Sequence, residues 1–193
     1  MKSFAEYEQL AEQAHGHMCA GQILGLRLAI YGMHLLGLED PAGKDRKRLI
    51  TYVEIDRCAT DAITVVTGCR MGKRALKFRD FGKVAATFCD LTANKAVRVV
   101  AKESSKQRAK EMHPGIADKN RQQMASYREM RDSELFDHQW VQVTIGAEEM
   151  PGFKGPRVAC DECGEGINFL REVVKGGRTL CKSCAGERYY QPL

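Results

Sequence analysis

The chain has 193 residues, is 44% hydrophobic, and carries 30 Lys and Arg against 25 Asp and Glu, a net charge of +5. That size accommodates one good-sized core plus a small appendage, the apolar fraction excludes a mainly disordered chain, and so modest a charge permits contact with nucleic acid or acidic ligands without demanding it. No apolar run approaches a membrane span and Met1-Lys2-Ser3-Phe4 lacks the apolar core of a signal peptide, so a cytoplasmic protein with no membrane partner is expected.

Residues 3 to 14 place Phe4, Tyr7, Leu10 and Ala11 at helical spacing, with Ser3 positioned to cap them. This helix delivers the chain into His15-Gly16-His17-Met18-Cys19-Ala20-Gly21, where two imidazoles and a thiol crowd one heptapeptide. A second helix is expected from about residue 21 to 36, closed by Gly37, with His34 as a core or interface histidine. Cys19 then lies at a helix start, where unpaired N–H groups and the positive end of the dipole favour thiolate, the form that ligates a metal or attacks an electrophile. One Cys and one His alone read equally well as a buried thiol and a cap.

Residues 49 to 55 read as a strand leading into Asp56-Arg57-Cys58-Ala59-Thr60-Asp61. A helix over about 59 to 67 ends at Gly68, so Cys58 has the same electrostatic setting as Cys19. After the basic loop Cys69-Arg70-Met71-Gly72-Lys73-Arg74, strands are expected at about 75–79 and 84–88, joined by the tight Asp80-Phe81-Gly82 connection. Cys89 reads as a core residue, and a strand at 96–101 pairs with its predecessor through Thr92-Ala93-Asn94-Lys95. Residues 102 to 138 are charged and helical in pattern, broken by His113-Pro114-Gly115. Trp140, Val141, Val143 and Ile145 then suggest a closing strand, and residues 150 to 156 a linker.

The tail carries the most specific signal, Cys160-x2-Cys163 followed after 17 residues by Cys181-x2-Cys184. Two CxxC knuckles supply the tetrahedral thiolate cage that zinc prefers, and four thiolates leave no open position, so this zinc reads as structural. Between the pairs, residues 167 to 174 suggest a strand and Lys175-Gly176-Gly177-Arg178 a hairpin turn, the layout of a zinc ribbon. The whole is an α+β chain, with a mixed helix and antiparallel-sheet core over 1–150 and a small zinc-ribbon-like domain over 151–193.

His15, His17, Cys19, Cys58 and Asp61 sit at the starts of two helices of the core, and helix starts can converge on one pocket to make a mixed N/S/O metal site. Lys73 and Lys83 add cations that suit an anionic substrate or hold a cysteine deprotonated. The run from His15 to Gly21, then Arg57-Cys58-Ala59-Thr60-Asp61-Ala62 with Val66-Thr67-Gly68-Cys69, then Asp80-Phe81-Gly82-Lys83-Val84-Ala85, resembles the FmdE family, named for the FmdE component of formylmethanofuran dehydrogenase. The resemblance covers about residues 12 to 145 and departs at Ala20, where many relatives are expected to have proline. It implies an α+β core, an intertwined homodimer and, in some members, a C-terminal zinc finger. It also implies a metal or active site at His17, Cys19 and Cys58, with His15, Asp61 and Cys69 as neighbours.

Three functions follow. The first is a metal-binding, enzyme-like or accessory protein with a second transition metal in the core. The second is a metal-sensing regulator or interaction module whose finger, with Arg171, Lys175, Arg178 and Lys182 around it, contacts nucleic acid or protein. In the third the His and Cys residues of the core are merely structural.

Overall fold

The computed structural model describes residues 1–191, and the chain divides into two compact units, Met1–Thr144 and Ile145–Leu193. Residues 145–150, expected with the core, group with the second unit.

In the first unit, α1 (Phe4–His15) starts at a full capping box, in which Ser3 Oγ accepts from the Glu6 N–H and the Glu6 carboxylate accepts from the Ser3 N–H. It stops at Gly16, whose left-handed backbone only glycine adopts without strain. The next helix, α2 (Ala20–Leu36), is apolar on nearly every side, with Ile23, Leu26, Leu28, Ala29 and Met33 fully buried. A helix without a polar face has to run through the interior, and α2 does so, packing on α1, α3 (Cys58–Thr67) and α5 (Lys119–Glu129) and across the sheet.

The sheet has the order β2-β1-β3-β4-β5, with β1 Leu49–Val53, β2 Leu76–Phe78, β3 Ala85–Asp90, β4 Lys95–Ala101 and β5 Phe136–Val141. Its pairs are antiparallel except β1 with β2. The strands flanking Asp80-Phe81-Gly82 therefore do not form a hairpin with each other: they lie on opposite sides of β1, because the connection crosses its end, where the Phe81 and Lys83 N–H groups both donate to the Glu54 carbonyl. The β3–β4 hairpin is as expected, turning at Asn94 in the left-handed region. The closing strand begins earlier than its apolar residues suggest. β5 includes Phe136, Asp137, His138 and Gln139, since an edge strand gains its ladder hydrogen bonds whatever side chains it shows to solvent. Between β4 and β5 run α4 (Ser104–Met112), α5 and the short α6 (Asp132–Leu135).

Two glycines of α2 set how close its neighbours come. A Cβ on Gly25 would lie 2.4 Å from the Ala59 carbonyl oxygen and 2.7 Å from its Cα, and one on Gly32 would lie 2.3 Å from the Phe88 ring. The helices α2 and α3 thus meet backbone to backbone, and Phe88 of the central strand fills the notch at Gly32.

In the second unit, β6 (Arg157–Ala159) pairs with β7 (Gly166–Asn168), and β8 (Val173–Lys175) with β9 (Arg178–Leu180), before the single turn α7 (Lys182–Ala185). Residues 167 to 174 are not one strand, because Phe169 and Leu170 take positive φ and break it between the two hairpins. Among the described residues the buried apolar core of this unit is Cys160, Ile167 and Leu180, with Val158 and Ala185 packed against it.

A helix interior ordinarily gains about 1 kcal/mol on Gly→Ala. Gly25→Ala is expected to reverse that sign, with a net loss of about 2 kcal/mol in urea unfolding, because the methyl meets backbone that cannot move aside.

Candidate metal centres

The tail set comes together fully. The sulfurs of Cys160, Cys163, Cys181 and Cys184 all lie within 4.8 Å of one another, and those of Cys163 and Cys181 are 3.9 Å apart. A tetrahedral ion with bonds of about 2.3 Å spaces its sulfurs by about 3.8 Å, so the four residues fit zinc. Each knuckle is closed by backbone. The Gly164 N–H donates to the Cys160 carbonyl with Gly164 at φ 73°, and the Cys184 N–H donates to Cys181 Sγ at 3.4 Å.

Their electrostatics are uneven without a cation. N–H groups of Cys163 and Cys181 aimed at Cys160 hold its thiol down to about 6. Cys184 is pushed up to about 12, first by the Cys181 thiol beside it and then by burial. At Cys163 the Glu165 N–H pulls the thiol down, but burial and the neighbouring thiols outweigh it and leave it raised. Four sulfurs this close cannot all ionise unless a cation neutralises them.

The core cluster is built from three helices. Cys19 is the N-cap of α2 and Cys58 the first residue of α3, so both cysteines lie at helix starts, and His15 ends α1. A ring nitrogen of His15, one of His17 and Cys19 Sγ lie within 4.8 Å of one another, with the two rings 4.8 Å apart and tilted by 42°. Asp61 Oδ2 is 2.9 Å from His15 Nδ1. Since a carboxylate only accepts, Nδ1 carries the hydrogen and Nε2 keeps its lone pair for a ligand, the arrangement by which carboxylates commonly orient metal-binding imidazoles. Cys58 is within hydrogen-bonding reach of the Cys19 thiol. Burial, then that thiol, pushes Cys58 up, outweighing the helix start that was expected to favour its thiolate. Two imidazoles and a thiol, with a second thiol at the edge, are a donor set that fits zinc and its borderline neighbours.

Three further residues hold this cluster in place. A Cβ on Gly21 would sit 3.2 Å from Cys58 Cβ and 3.7 Å from Cys19 Sγ, so glycine lets the two cysteines approach. Fully buried Gln22 donates its amide to the Cys58 carbonyl at 2.9 Å. Asn120 Oδ1 accepts from the Ala20 N–H at 2.8 Å, a donor that proline at that first helical position would lack. Neither Gln22 nor Asn120 was expected at the site, and a lone Asn in a charged helix a hundred residues away carries no signal.

Other expected neighbours lie elsewhere. Cys69 is fully buried in the core, its sulfur 3.4 Å from Thr51 Oγ1 and 3.6 Å from the Leu49 carbonyl, because Gly68 turns the chain inward under β1. Cys89 is likewise buried, its thiol pushed up to about 12 by burial and then by nearby Cys69. Lys83 is exposed in the β2–β3 connection. Lys73 lines a groove that Asp61 also borders. His34 is exposed, not core. Among the described residues no helix is long and apolar enough to cross a membrane.

An α+β core with a His/Cys cluster at converging helix ends, followed by a four-cysteine finger, defines the class of the protein. Residues 14–137 match the family described as FmdE, molybdenum formylmethanofuran dehydrogenase operon, and residues 154–190 match the prokaryotic dksA/traR C4-type zinc finger. The chain belongs to the FmdE family. It is 32% identical to a "Probable S-adenosyl-L-methionine-binding protein" of Archaeoglobus fulgidus, an alignment covering 93% of this chain and 52% of that one. The chain thus spans about half the length of that curated relative. Its fold is that of a tungsten formylmethanofuran dehydrogenase FmdE-like protein from Syntrophus aciditrophicus, with a TM-score of 0.67, 20% identity, and coverage of 98% of this chain and 96% of that one.

Zinc has to displace the protons on raised thiols. Its affinity for the tail is therefore expected to keep climbing as pH rises past 9, where a set of ordinary thiols would level off, and to fall steeply below neutrality. Binding at pH 7 is expected to release protons from at least Cys163 and Cys184, measurable with a pH indicator in weak buffer.

Proposed function

We propose that the protein is a metal-binding member of the FmdE family, akin to the FmdE component of formylmethanofuran dehydrogenase, that holds a transition metal in its core in addition to the structural zinc of its tail. The observation that carries this is the meeting of His15, His17 and Cys19 within 4.8 Å at the junction of two helices, with Asp61 on the far nitrogen of His15. His15 Nε2, His17 and Cys19 would hold the ion, with Cys58 at the edge as a further ligand or as a thiol facing a bound substrate. When bound, such an ion supplies Lewis acidity. The chain's own residues do the positioning: Asp61 fixes the His15 ring, Gln22 ties down the backbone of Cys58, and Asn120 anchors the first turn of α2. Unlike the four ligands of the tail, His15, His17 and Cys19 leave a fourth position, taken either by Cys58 or by substrate. The proposal includes a cytoplasmic homodimer, as the family resemblance implies.

Protein purified without chelator is expected to carry two metal ions per chain by mass spectrometry, one for each cluster, and a mass by light scattering twice the 21.6 kDa of the chain. Cys19→Ala with Cys58→Ala should lose one ion and keep the zinc. A core ion that survives both substitutions sinks the proposal.

A second reading, a regulator or interaction module, is favoured by the match to the dksA/traR finger and by exposed basic residues such as Arg171 and Lys175 in the tail. Nucleic-acid binding of this kind is expected to weaken steeply with salt in gel-shift titrations. A shift that is absent, or indifferent to salt, removes nucleic acid as the partner.

A further inference from the structure

A groove of about 620 Å³ opens between α1, the C-terminal half of α3 and the loop that follows it. Its floor is apolar, from Leu10, Ala14, Val65 and Leu76, and its volume is that of a site for a small organic molecule. Three cations line it, Arg46, Arg70 and Lys73, all exposed. Several basic residues elsewhere on the core are neutralised by acids. Arg48 pairs with Asp90, Arg98 with Glu54, Arg128 with Glu8 and Lys106 with Glu103, whereas none of these three has a carboxylate partner among the described residues.

Among the described residues the one acid that borders the groove is Asp61, and its Oδ2 is engaged with His15. Three unneutralised positive charges around one apolar cleft raise the local potential and favour an anion there. The two arginines offer planar forks suited to carboxylate or phosphate oxygens, and Lys73 a mobile point charge. Asp61 also ties the groove to the core cluster, since it belongs to both.

We infer that this groove binds a small organic anion with an apolar body, a carboxylate or phosphate ester whose charged group is held by Arg46, Arg70 and Lys73. Its other end points past Asp61 toward His15 and Cys19. This rests on the reading of the core cluster as a metal or active site only for the direction of that far end, because the groove and its charges do not involve the cysteines.

The test uses two fluorescent probes of like shape, the sulfonate 8-anilinonaphthalene-1-sulfonate and its uncharged analogue N-phenyl-1-naphthylamine, titrated into the full chain. The charged probe is expected to bind more tightly. Arg46→Gln/Arg70→Gln/Lys73→Gln should weaken it at least tenfold while changing the neutral probe less than twofold. Raising KCl from about 50 to about 500 mM should weaken the charged probe in the wild type alone, as screening requires. Lys73→Glu by itself should also weaken it, which keeps the test decisive if the triple variant does not fold. Displacement of the sulfonate by citrate marks a carboxylate preference, and displacement by pyrophosphate a phosphate preference. Equal binding of the sulfonate by wild type and triple variant, or parallel loss of both probes, overturns the inference. The same titration on His17→Ala/Cys19→Ala separates the two proposals. Sulfonate binding that persists there supports the groove even if the core holds no metal.

Discussion

The contact on which the core depends is the backbone meeting of α2 and α3. Gly25 lets the α2 backbone lie against Ala59 at a distance no side chain would permit, and Gly21, one turn earlier, extends the approach to Cys58. Because both helices begin at this crossing, the N-cap Cys19 of α2 and the first residue of α3, Cys58, are brought side by side. The His15 ring and its Asp61 partner then come from the end of α1 and the first turn of α3. Closeness of packing and closeness of ligands have one cause.

The four-cysteine cage of the tail and the His/Cys cluster of the core are assembled on different physical terms. In the tail, pairs of cysteines are neighbours in sequence, and backbone N–H groups of the same knuckles already hold Cys160 as a thiolate near neutral pH. With so small an apolar core among the described residues, that unit relies on its ion for folding free energy. In the first unit, the buried faces of α2, β3 and β4 hold the fold whether or not an ion is present. Its His/Cys set is correspondingly more open, with His17 exposed and Cys58 toward one side. A closed set of four thiolates suits an architectural ion.

Charge follows the same division. Several basic side chains that brace the first unit answer an acid, among them the half-buried Arg98, which makes two bonds of 2.7 Å to the buried Glu54 carboxylate. The cations around the α1–α3 groove do not, and they border the one acid that the His15 ring already claims. Cations left without partners beside the His/Cys cluster contribute little to stability and raise the local potential for an incoming anion.

Local patterns were sufficient for whatever a short window decides. Ser3 and Glu6 announced a capping box, Gly37 and Gly68 marked helix ends, and the CxxC pairs spelled out a zinc cage, because each of these interactions spans only a few residues. The heptapeptide at His15 likewise foretold by crowding alone that its two imidazoles and its thiol would lie together. What no window contains is which strands pair: β2 and β3, adjacent in sequence, straddle β1, and β5 takes residues that read as helical because ladder hydrogen bonds override side-chain pattern at an edge. Tertiary packing alone sent Cys69 inward to Thr51 and brought Asn120 to the first turn of α2. It also chose Asp61 as the partner of His15, since contacts across dozens of residues are set by how helices cross and not by any spacing along the chain.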